Sequence, residues 1–189
     1  MNFYNDPEKV DEYIKMCDGY DGSHLYAELT KYLPHKASLL ELGSGPGLDI
    51  AHLKKNYNIT GSDFSDVFLK ICKNKHPEIP FYKLDILNLK IDQHFHCIYS
   101  NKVLHHLTKD ECKNSLKQQA ALLHPHGIMA HSFWLGEKDQ VIEGMLFTYY
   151  RKDSLLKLLS ENYEIVSTLL YEEFEKDDSL FVIARVKDK

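Results

Sequence analysis

The stretch that decides the fold is Leu39-Leu40-Glu41-Leu42-Gly43-Ser44-Gly45-Pro46-Gly47, in which an apolar strand runs into three alternating glycines. Glycine tolerates positive φ angles and lets a ligand approach the main chain closely. A helix predicted to begin at Leu48 would offer free N–H groups and the positive end of its dipole to a carboxylate or a phosphate. The stretch therefore predicts a ligand-binding loop, with a plain strand-to-helix turn as the alternative.

The spacing of the glycines bears on the kind of ligand. A dinucleotide-binding loop has the pattern G-x-G-x-x-G, which would place its third glycine at position 48, where this chain has Leu48. The pattern G-x-G-x-G favours a nucleoside that carries an amino-acid tail over one that carries a pyrophosphate.

Two carboxylates follow the loop at the ends of later predicted strands. Asp63 lies twenty positions after Gly43, where its oxygens could accept hydrogen bonds from both hydroxyls of a ribose. Asp85 could accept from an adenine amino group while Ile86 packs on the ring. The structural alternatives are a cap or turn for Asp63 and an exposed turn position for Asp85.

Strand-like and helix-like segments alternate along most of the chain, which predicts an α/β fold whose parallel sheet has helices on both faces. Helix starts are indicated by Asp6-Pro7, by an N-cap at Ser65 and by the capping box from Thr108 to Glu111. The charged connection 172–178 predicts a hairpin, so the last strand should run antiparallel. The predicted strands are 38–42, one near 59 that ends at 63, 81–84, 95–99, 128–133, 165–170 and 180–186.

The composition suits one domain, 1–189, that acts on a small molecule and does not bind nucleic acid, and it leaves the oligomeric state open. Lys and Arg number 23 and Asp and Glu 28, giving a net charge of −5, which argues against a nucleic-acid-binding surface. No segment approaches the ~20 apolar residues of a membrane helix, and no basic, apolar leader is present, so we expect a cytoplasmic protein without membrane contact. The cysteines stand singly, and three of them, Cys72, Cys97 and Cys112, are expected in the core.

Five segments in this order, ELGSGPG (41–47), TGSDFS (60–65), KLDI (83–86), CIYSNKVLHHL (97–107) and LLHPHGIMAHSF (122–133), resemble those of class I methyltransferases that use S-adenosylmethionine (SAM). The resemblance covers residues 38–133. It implies a Rossmann-like, seven-stranded, mostly parallel sheet with an antiparallel last strand, and SAM lying across the carboxyl ends of the strands. One departure is Pro125-His126-Gly127, where the family often has Pro-Gly-Gly, at a turn away from the cofactor.

The resemblance also implies roles for individual residues in binding SAM. The methionine portion would be cradled by Gly43, Gly45 and Gly47, with Tyr13 and Tyr20 of the N-terminal helices near its end. The ribose hydroxyls would be bound by Asp63, and the adenine by Phe64, Asp85 and Ile86. Ser100 and Asn101 would lie beneath the sulfonium.

Motifs that the chain lacks narrow the range of possible methyl acceptors. Asn101 is followed by Lys102 and Val103, not by the two prolines and aromatic residue of adenine-N6 enzymes. The Pro-Cys nucleophile of pyrimidine enzymes and the double-Glu loop of arginine methyltransferases are also missing. What is left is a small molecule methylated at O, N, S or C.

His105 and Asn101 are the predicted catalytic residues. His105 is preferred to His106, because adjacent side chains on a helical turn diverge by about 100° and only one can face the methyl group. No metal site is expected. Two rival functions stay open: a non-catalytic SAM-binding subunit or sensor, and a nicotinamide oxidoreductase, whose Tyr-x-x-x-Lys motif is matched only by Tyr32 and Lys36 across Pro34.

Aromatic side chains concentrate in two segments that flank the cofactor-binding core 38–133. These are the N-terminal helices, 1–35, and a presumed insertion, 134–150; a helix and strand hairpin, 151–189, complete the chain. We predict that the two segments form a lid over a partly aromatic acceptor, with ordinary core packing as the alternative. The residues concerned are Tyr4, Tyr13, Tyr20, Trp134, Phe147, Tyr149 and Tyr150.

Overall fold

The computed structural model describes residue 4 and residues 6–187. Its strands are β1 Ser38–Leu42, β2 Asn58–Asp63, β3 Phe81–Lys83, β4 Phe95–Ser100, β5 Leu123–Trp134, β6 Gln140–Ile142, β7 Met145–Phe147, β8 Tyr163–Tyr171 and β9 Ser179–Val186. Its helices are α1 Pro7–Met16, α2 Ser23–Thr30, α3 Leu48–Leu53, α4 Asp66–Lys75, α5 Lys109–Leu122 and α6 Lys152–Leu159, with a 3-10 turn at Leu104–His106.

Seven strands form one sheet in the order β3-β2-β1-β4-β5-β9-β8, which confirms the predicted architecture. The strands from β3 to β5 are parallel, whereas β9 runs antiparallel to both β5 and β8. The chain leaves β1 toward β2 and β3, then returns to place β4 on the other side of β1. Such a reversal opens a crevice at the carboxyl ends of the strands.

Local capping fixes where three helices begin, as predicted. Asp6 accepts a hydrogen bond from the backbone N–H of Glu8 at 3.0 Å, and the following residue is a proline. Ser65 Oγ accepts from the N–H of Phe68 at 3.2 Å. Thr108 opens α5 with a complete capping box.

The sheet separates two apolar cores, because successive side chains of a strand point to opposite faces. Leu39 packs in the core that α2 and α3 cover, and Leu40 packs in the core that α5 and α6 cover. Helices therefore lie on both faces, as predicted. Cys72, Cys97 and Cys112 are buried and free, which confirms their expected positions.

Two segments differ from the prediction. β5 begins at Leu123 and includes the expected turn, since Phe95 lies opposite Leu123 and Cys97 opposite Ile128, so the segment between forms a bulge. His126 has a φ of 63° there. The presumed insertion 134–150 contains the hairpin β6–β7, whose strands of three residues are too short to show a periodicity.

Within the described residues, no helix has the length and apolar character needed to cross a membrane.

Candidate functional site

A cleft of about 220 Å³ lies at the carboxyl ends of β1, β2 and β4. It gathers eight of the residues that the sequence assigned to ligand binding: Tyr13, Gly43, Gly45, Asp63, Phe64, Asp85, Ile86 and Asn101. Four other assigned residues, Gly47, Ser100, Tyr20 and His105, are not in its lining.

The three glycines of the loop have different functions in the structure, although all have positive φ, at 66°, 50° and 79°. At Gly43 a Cβ would lie 2.6 Å from the side chain of Val103, and only the absence of a side chain permits that approach. At Gly45 a Cβ would face the cleft, with Tyr13 Cε1 at 3.9 Å as its nearest neighbour. Gly47 begins α3 in the left-handed conformation and faces Cys72, away from the cleft, so its requirement is conformational.

Asp63 joins two backbone segments at the centre of the cleft. Its Oδ2 accepts from the N–H of Gly45 at 2.9 Å, and its Oδ1 accepts from the N–H of Ser65 at 2.8 Å. Burial raises the pKa of this carboxyl, and the backbone hydrogen bonds partly oppose the rise. The structural alternative for Asp63, a cap or turn, therefore describes part of what the residue does.

Asp85 lies at the β3 end of the cleft beside an apolar wall. Its Oδ1 accepts from the N–H of Leu87 at 2.9 Å, and within residues 6–187 no group donates to Oδ2. Ile86 and Leu84 line the cleft next to it, and the Phe64 ring is 44% exposed. An apolar slot with one available carboxylate oxygen results.

Asn101 is held by residues that come from distant parts of the chain. Its Nδ2 donates to the Tyr20 hydroxyl at 2.6 Å, and that hydroxyl donates to Asp49 Oδ1 at 3.0 Å. Ser132 Oγ donates to Asn101 Oδ1 at 2.5 Å. Tyr20, expected near the methionine end of SAM, instead orients Asn101 from behind. Asp49 and Ser132 were not found from the sequence, because nothing in their local pattern signals these contacts.

Ser100 points into the core, in contrast to its expected position beneath the sulfonium. Its side chain is 0% exposed, and its Oγ lies 2.8 Å from His131 Nδ1. His131 Nε2 lies 2.7 Å from Gln119 Oε1, and Gln119 Nε2 donates to Ser115 Oγ at 3.2 Å. Gln119 therefore presents its oxygen to His131, so Nε2 carries the proton and the Ser100 hydroxyl donates to Nδ1. Burial lowers the pKa of His131 to about 3.

The two adjacent histidines diverge as predicted, but the one that faces the cleft is His106. His105 is 4% exposed, its ring stacks on Phe147 with centroids 5.1 Å apart, and neither ring nitrogen has a hydrogen-bond partner among the described residues. Burial lowers its pKa well below the usual range. His106 Nδ1 lies 2.9 Å from the carbonyl oxygen of Leu146 in β7. The predicted catalytic residue His105 therefore does not line the cleft, because the rotation of the 3-10 turn is set by packing against the hairpin.

Lys102 combines an unusual backbone with a buried amine. Its φ is 53°, and its N–H donates to Ser132 Oγ at 2.8 Å. The side chain turns away from the cleft, since Nζ donates to Ser179 Oγ at 2.6 Å and lies 3.3 Å from the Trp134 ring centroid. Burial lowers the pKa of this amine to about 7.

Among the residues that the structure describes, no three His, Cys, Asp or Glu side chains are arranged to hold a metal ion.

The predicted lid segments contribute unequally. Tyr4 and Tyr13 line the cleft and contact the Phe68 ring, with both centroid distances at 5.7 Å. Residues 134–150 pack beside the cleft without lining it: Trp134 stacks on Phe174 at 5.6 Å, and Tyr150 meets Phe133 at 5.8 Å. The two segments meet where Lys9 Nζ of α1 lies 3.1 Å from the carboxylate of Glu143 in the hairpin turn.

Comparison with known proteins finds that the chain is similar to methyltransferases. A family model described as a methyltransferase domain matches residues 39–127. A protein of Bacillus pumilus (strain SAFR-032), described as an uncharacterized methyltransferase, is 26% identical over 177 residues, which cover 80% of this chain and 83% of the relative.

The fold is shared with solved methyltransferases. The 1,6-didemethyltoxoflavin-N1-methyltransferase of Burkholderia thailandensis, solved with 1,6-didemethyltoxoflavin and S-adenosylhomocysteine (SAH), superposes with a TM-score of 0.81 at 20% identity, covering 94% of this chain and 83% of that one. The N-methyltransferase NodS of Bradyrhizobium japonicum WM9, solved with SAH, superposes at 0.76 with 15% identity and full coverage of both chains. CalS10, an amino pentose methyltransferase from Micromonospora echinaspora solved with SAM, superposes at 0.74 with 15% identity, covering 94% and 97%.

Proposed function

We propose that this chain, which is similar to a methyltransferase domain over residues 39–127 and shares the fold of solved methyltransferases, is a SAM-dependent methyltransferase. Its cleft would hold SAM between the glycine loop, Asp63 and Asp85, and a small molecule would receive the methyl group. The observation that carries this assignment is the convergence of these three elements, from β1, β2 and β3, at one edge of the sheet. Each has a property that suits one part of SAM.

The glycine loop suits the amino-acid portion of the cofactor. At Gly45 the main chain faces the cleft without a side chain, and a Cβ there would occupy the ligand space. Gly43 lets Val103, which also lines the cleft, approach the loop closely. A ligand can therefore contact the backbone directly.

The carboxylates suit the nucleoside. Each oxygen of Asp63 already accepts one backbone N–H, and each keeps a second lone pair that can accept from a ribose hydroxyl. Asp85 Oδ2 can accept from an exocyclic amino group, while Ile86, Leu84 and Phe64 offer the apolar surface that a flat base needs.

SAM, when bound, supplies an electrophilic methyl group on a sulfonium. For the chain, the task is to hold the acceptor in line with that methyl group and to exclude water, which can remove much of the barrier without a covalent intermediate. Asn101 is proposed to serve this positioning, because its amide lines the cleft and is fixed by Tyr20 and Ser132.

For the acceptor, we infer a small molecule. Two of the superposed methyltransferases carry nitrogen methylation in their names, and a third acts on an amino pentose. These names support a compact acceptor and do not by themselves choose among O, N, S and C. That the protein acts in the cytoplasm and without nucleic acid stays a prediction.

The lid is proposed to consist mainly of α1. Tyr4 and Tyr13 cover the cleft from that side, and the contact between Lys9 and Glu143 joins α1 to the hairpin. This ion pair is exposed and contributes little by itself. A hinge-like closure of α1 would therefore be driven by the aromatic contacts that a ligand completes.

Calorimetric titration tests the proposal. We expect SAM and SAH to bind with a Kd in the micromolar range, about −8 kcal/mol, and NAD to give no heat of binding. Tight binding of NAD without binding of SAM or SAH would contradict both the ligand and the family role of the cleft.

A further inference from the structure

We propose that His106 accepts a proton from the methyl acceptor, so that the acceptor reacts through a weakly acidic N–H or O–H group on a flat ring. This inference rests on the proposed function and goes beyond it, because it names both the base and the chemistry of the acceptor.

The protonation of the His106 ring follows from its contact with β7. Nδ1 lies 2.9 Å from the carbonyl oxygen of Leu146, and a carbonyl oxygen can only accept a hydrogen bond. Nδ1 must therefore carry the hydrogen of the neutral ring. The lone pair is then on Nε2, the nitrogen that a substrate proton would reach.

Nε2 of His106 is available to accept a proton from the substrate. No group within residues 6–187 forms a hydrogen bond with it, and the residue lines the cleft. By contrast, both ring nitrogens of His105 are buried. Burial lowers the pKa of His106, with the Leu146 carbonyl opposing the shift, so the ring is neutral and basic at neutral pH.

The surroundings of His106 limit what else could take the proton. Its ring neighbours are His105 at 4.0 Å, Phe147 at 5.1 Å and Tyr4 at 6.0 Å, and none of them is an anionic base. Burial raises the pKa of the Tyr4 hydroxyl to about 12, which keeps it protonated.

The other titratable groups of the cleft are engaged or remote. Asp63 and Asp85 belong to the ends of β2 and β3, two and three strands away from β4 along the sheet, and are assigned to the nucleoside. The Lys102 amine is turned toward Ser179. On the β4 side of the cleft, among the described residues, His106 is the titratable side chain whose basic nitrogen accepts no hydrogen bond.

The step balances without another reactant. The acceptor's nitrogen or oxygen bonds to the methyl carbon as the sulfur–methyl bond breaks, and that bonding pair stays on sulfur. The proton of the acceptor moves to Nε2 and from there to water.

The chemistry of this base favours particular acceptors. An alkylammonium has no lone pair with which to attack the methyl group, whereas a phenol or an N–H heteroaromatic ring can attack through its lone pair. Its proton becomes acidic as the bond to the methyl carbon forms, so a neutral imidazole can then remove it. The aromatic side chains of Tyr4, Tyr13 and Phe68 on the cleft wall suit a flat ring. Methylation of an acceptor that loses no proton, such as a tertiary amine, would not require His106.

Two variants separate a base from a structural residue. His106→Asn keeps an N–H near the Nδ1 position for Leu146 but has no basic nitrogen. His105→Phe is the matched control at the neighbouring histidine: it preserves stacking on Phe147, removes two unpartnered nitrogens, and tests the residue that the sequence had favoured.

The first measurements need no acceptor. Nitrogen-15 NMR of the labelled full chain should show Nδ1 of His106 protonated and Nε2 unprotonated. Calorimetry with SAH should give the same Kd, within about threefold, for the wild type and both variants. Failure of the wild type to bind SAH would refute the proposed function, whereas a protonated Nε2 in the neutral ring would refute only the role of His106.

Methyl transfer from SAM is then followed with phenol, 4-nitrophenol and benzimidazole, and with N,N-dimethylaniline as the probe that loses no proton. We expect turnover of at least one N–H or O–H probe, with kcat reduced by about 100-fold or more in His106→Asn, KM changed only a few-fold, and His105→Phe close to wild type. The wild-type rate should rise with pH through a pKa below the usual histidine value and then level off, and His106→Asn should lose that rise. Equal rates in His106→Asn and wild type, turnover of dimethylaniline alone, or SAM binding without turnover of any N–H or O–H probe would overturn the assignment.

Discussion

Replacement of Asp63 by alanine separates the structural function of its carboxylate from the ribose-binding function that we propose for it. In binding, the variant loses two hydrogen bonds from ribose hydroxyls to a charged acceptor, each contributing about 1.5–3 kcal/mol. A loss of about 3 kcal/mol or more corresponds to a rise in the Kd of SAM of about 100-fold or more. In folding, the N–H groups of Gly45 and Ser65 lose their acceptor.

The folding cost should be smaller than the binding cost, because water can enter the cleft and hydrate the two N–H groups. At about 1 kcal/mol for each N–H, the low end for an unsatisfied group, the free energy of unfolding falls by about 2 kcal/mol. For a domain of this size that lowers Tm by about 4–8 °C. The variant should therefore remain folded at 25 °C.

Calorimetry with SAH and a thermal melt of the same sample measure the two effects. Asp92→Ala, at an exposed position remote from the cleft, is the control and should change neither quantity. An unchanged Kd with a lowered Tm would refute the ribose contact and leave Asp63 as a structural cap alone.

Three further outcomes follow from the structure. Gly45→Val should abolish SAH binding in calorimetry while the fold survives. The Cβ of the valine would enter the cleft, and a β-branched residue adopts a φ of 50° only under strain. Normal affinity would show that the loop does not contact the ligand. Addition of SAH should slow tryptic cleavage at Lys9 and Lys15 of α1, and equal cleavage with and without ligand would contradict the lid. His131 has a folded pKa of about 3 against about 6.5 in the unfolded chain, so stability is full above pH 6.5 and declines as the pH falls toward 3. Urea unfolding of the wild type should lose about 2 kcal/mol more between pH 7 and pH 5 than His131→Gln, and an equal loss in both would refute the buried neutral imidazole.

The sequence alone was enough to predict features whose causes lie within a few residues or within a repeated pattern. The helix start at Asp6 and the capping box at Thr108 are satisfied by neighbours in the chain, and the glycines of the loop supply the positive φ angles themselves, so these sequence signals were sufficient. The alternation of strands and helices, with the family resemblance, was enough for the seven-stranded sheet and its antiparallel strand, because both depend on where apolar segments occur and how long the connections are.

Only the tertiary structure decided which polar side chains meet in the cleft. Asn101 is oriented by Tyr20, 81 positions away, and Ser100 is drawn from the cleft by His131, 31 positions away. A hairpin 40 residues downstream sets which of two adjacent histidines faces the cleft, since the Leu146 carbonyl oxygen contacts His106 Nδ1. A hydrogen bond inside a fold depends on distance and on the exclusion of water, and both are fixed by how the elements pack. The local pattern of residues around 100–106 contains no information on these distances or on the exclusion of water. It was enough to locate the site, whereas the orientation of the polar side chains in the site depends on the packed structure.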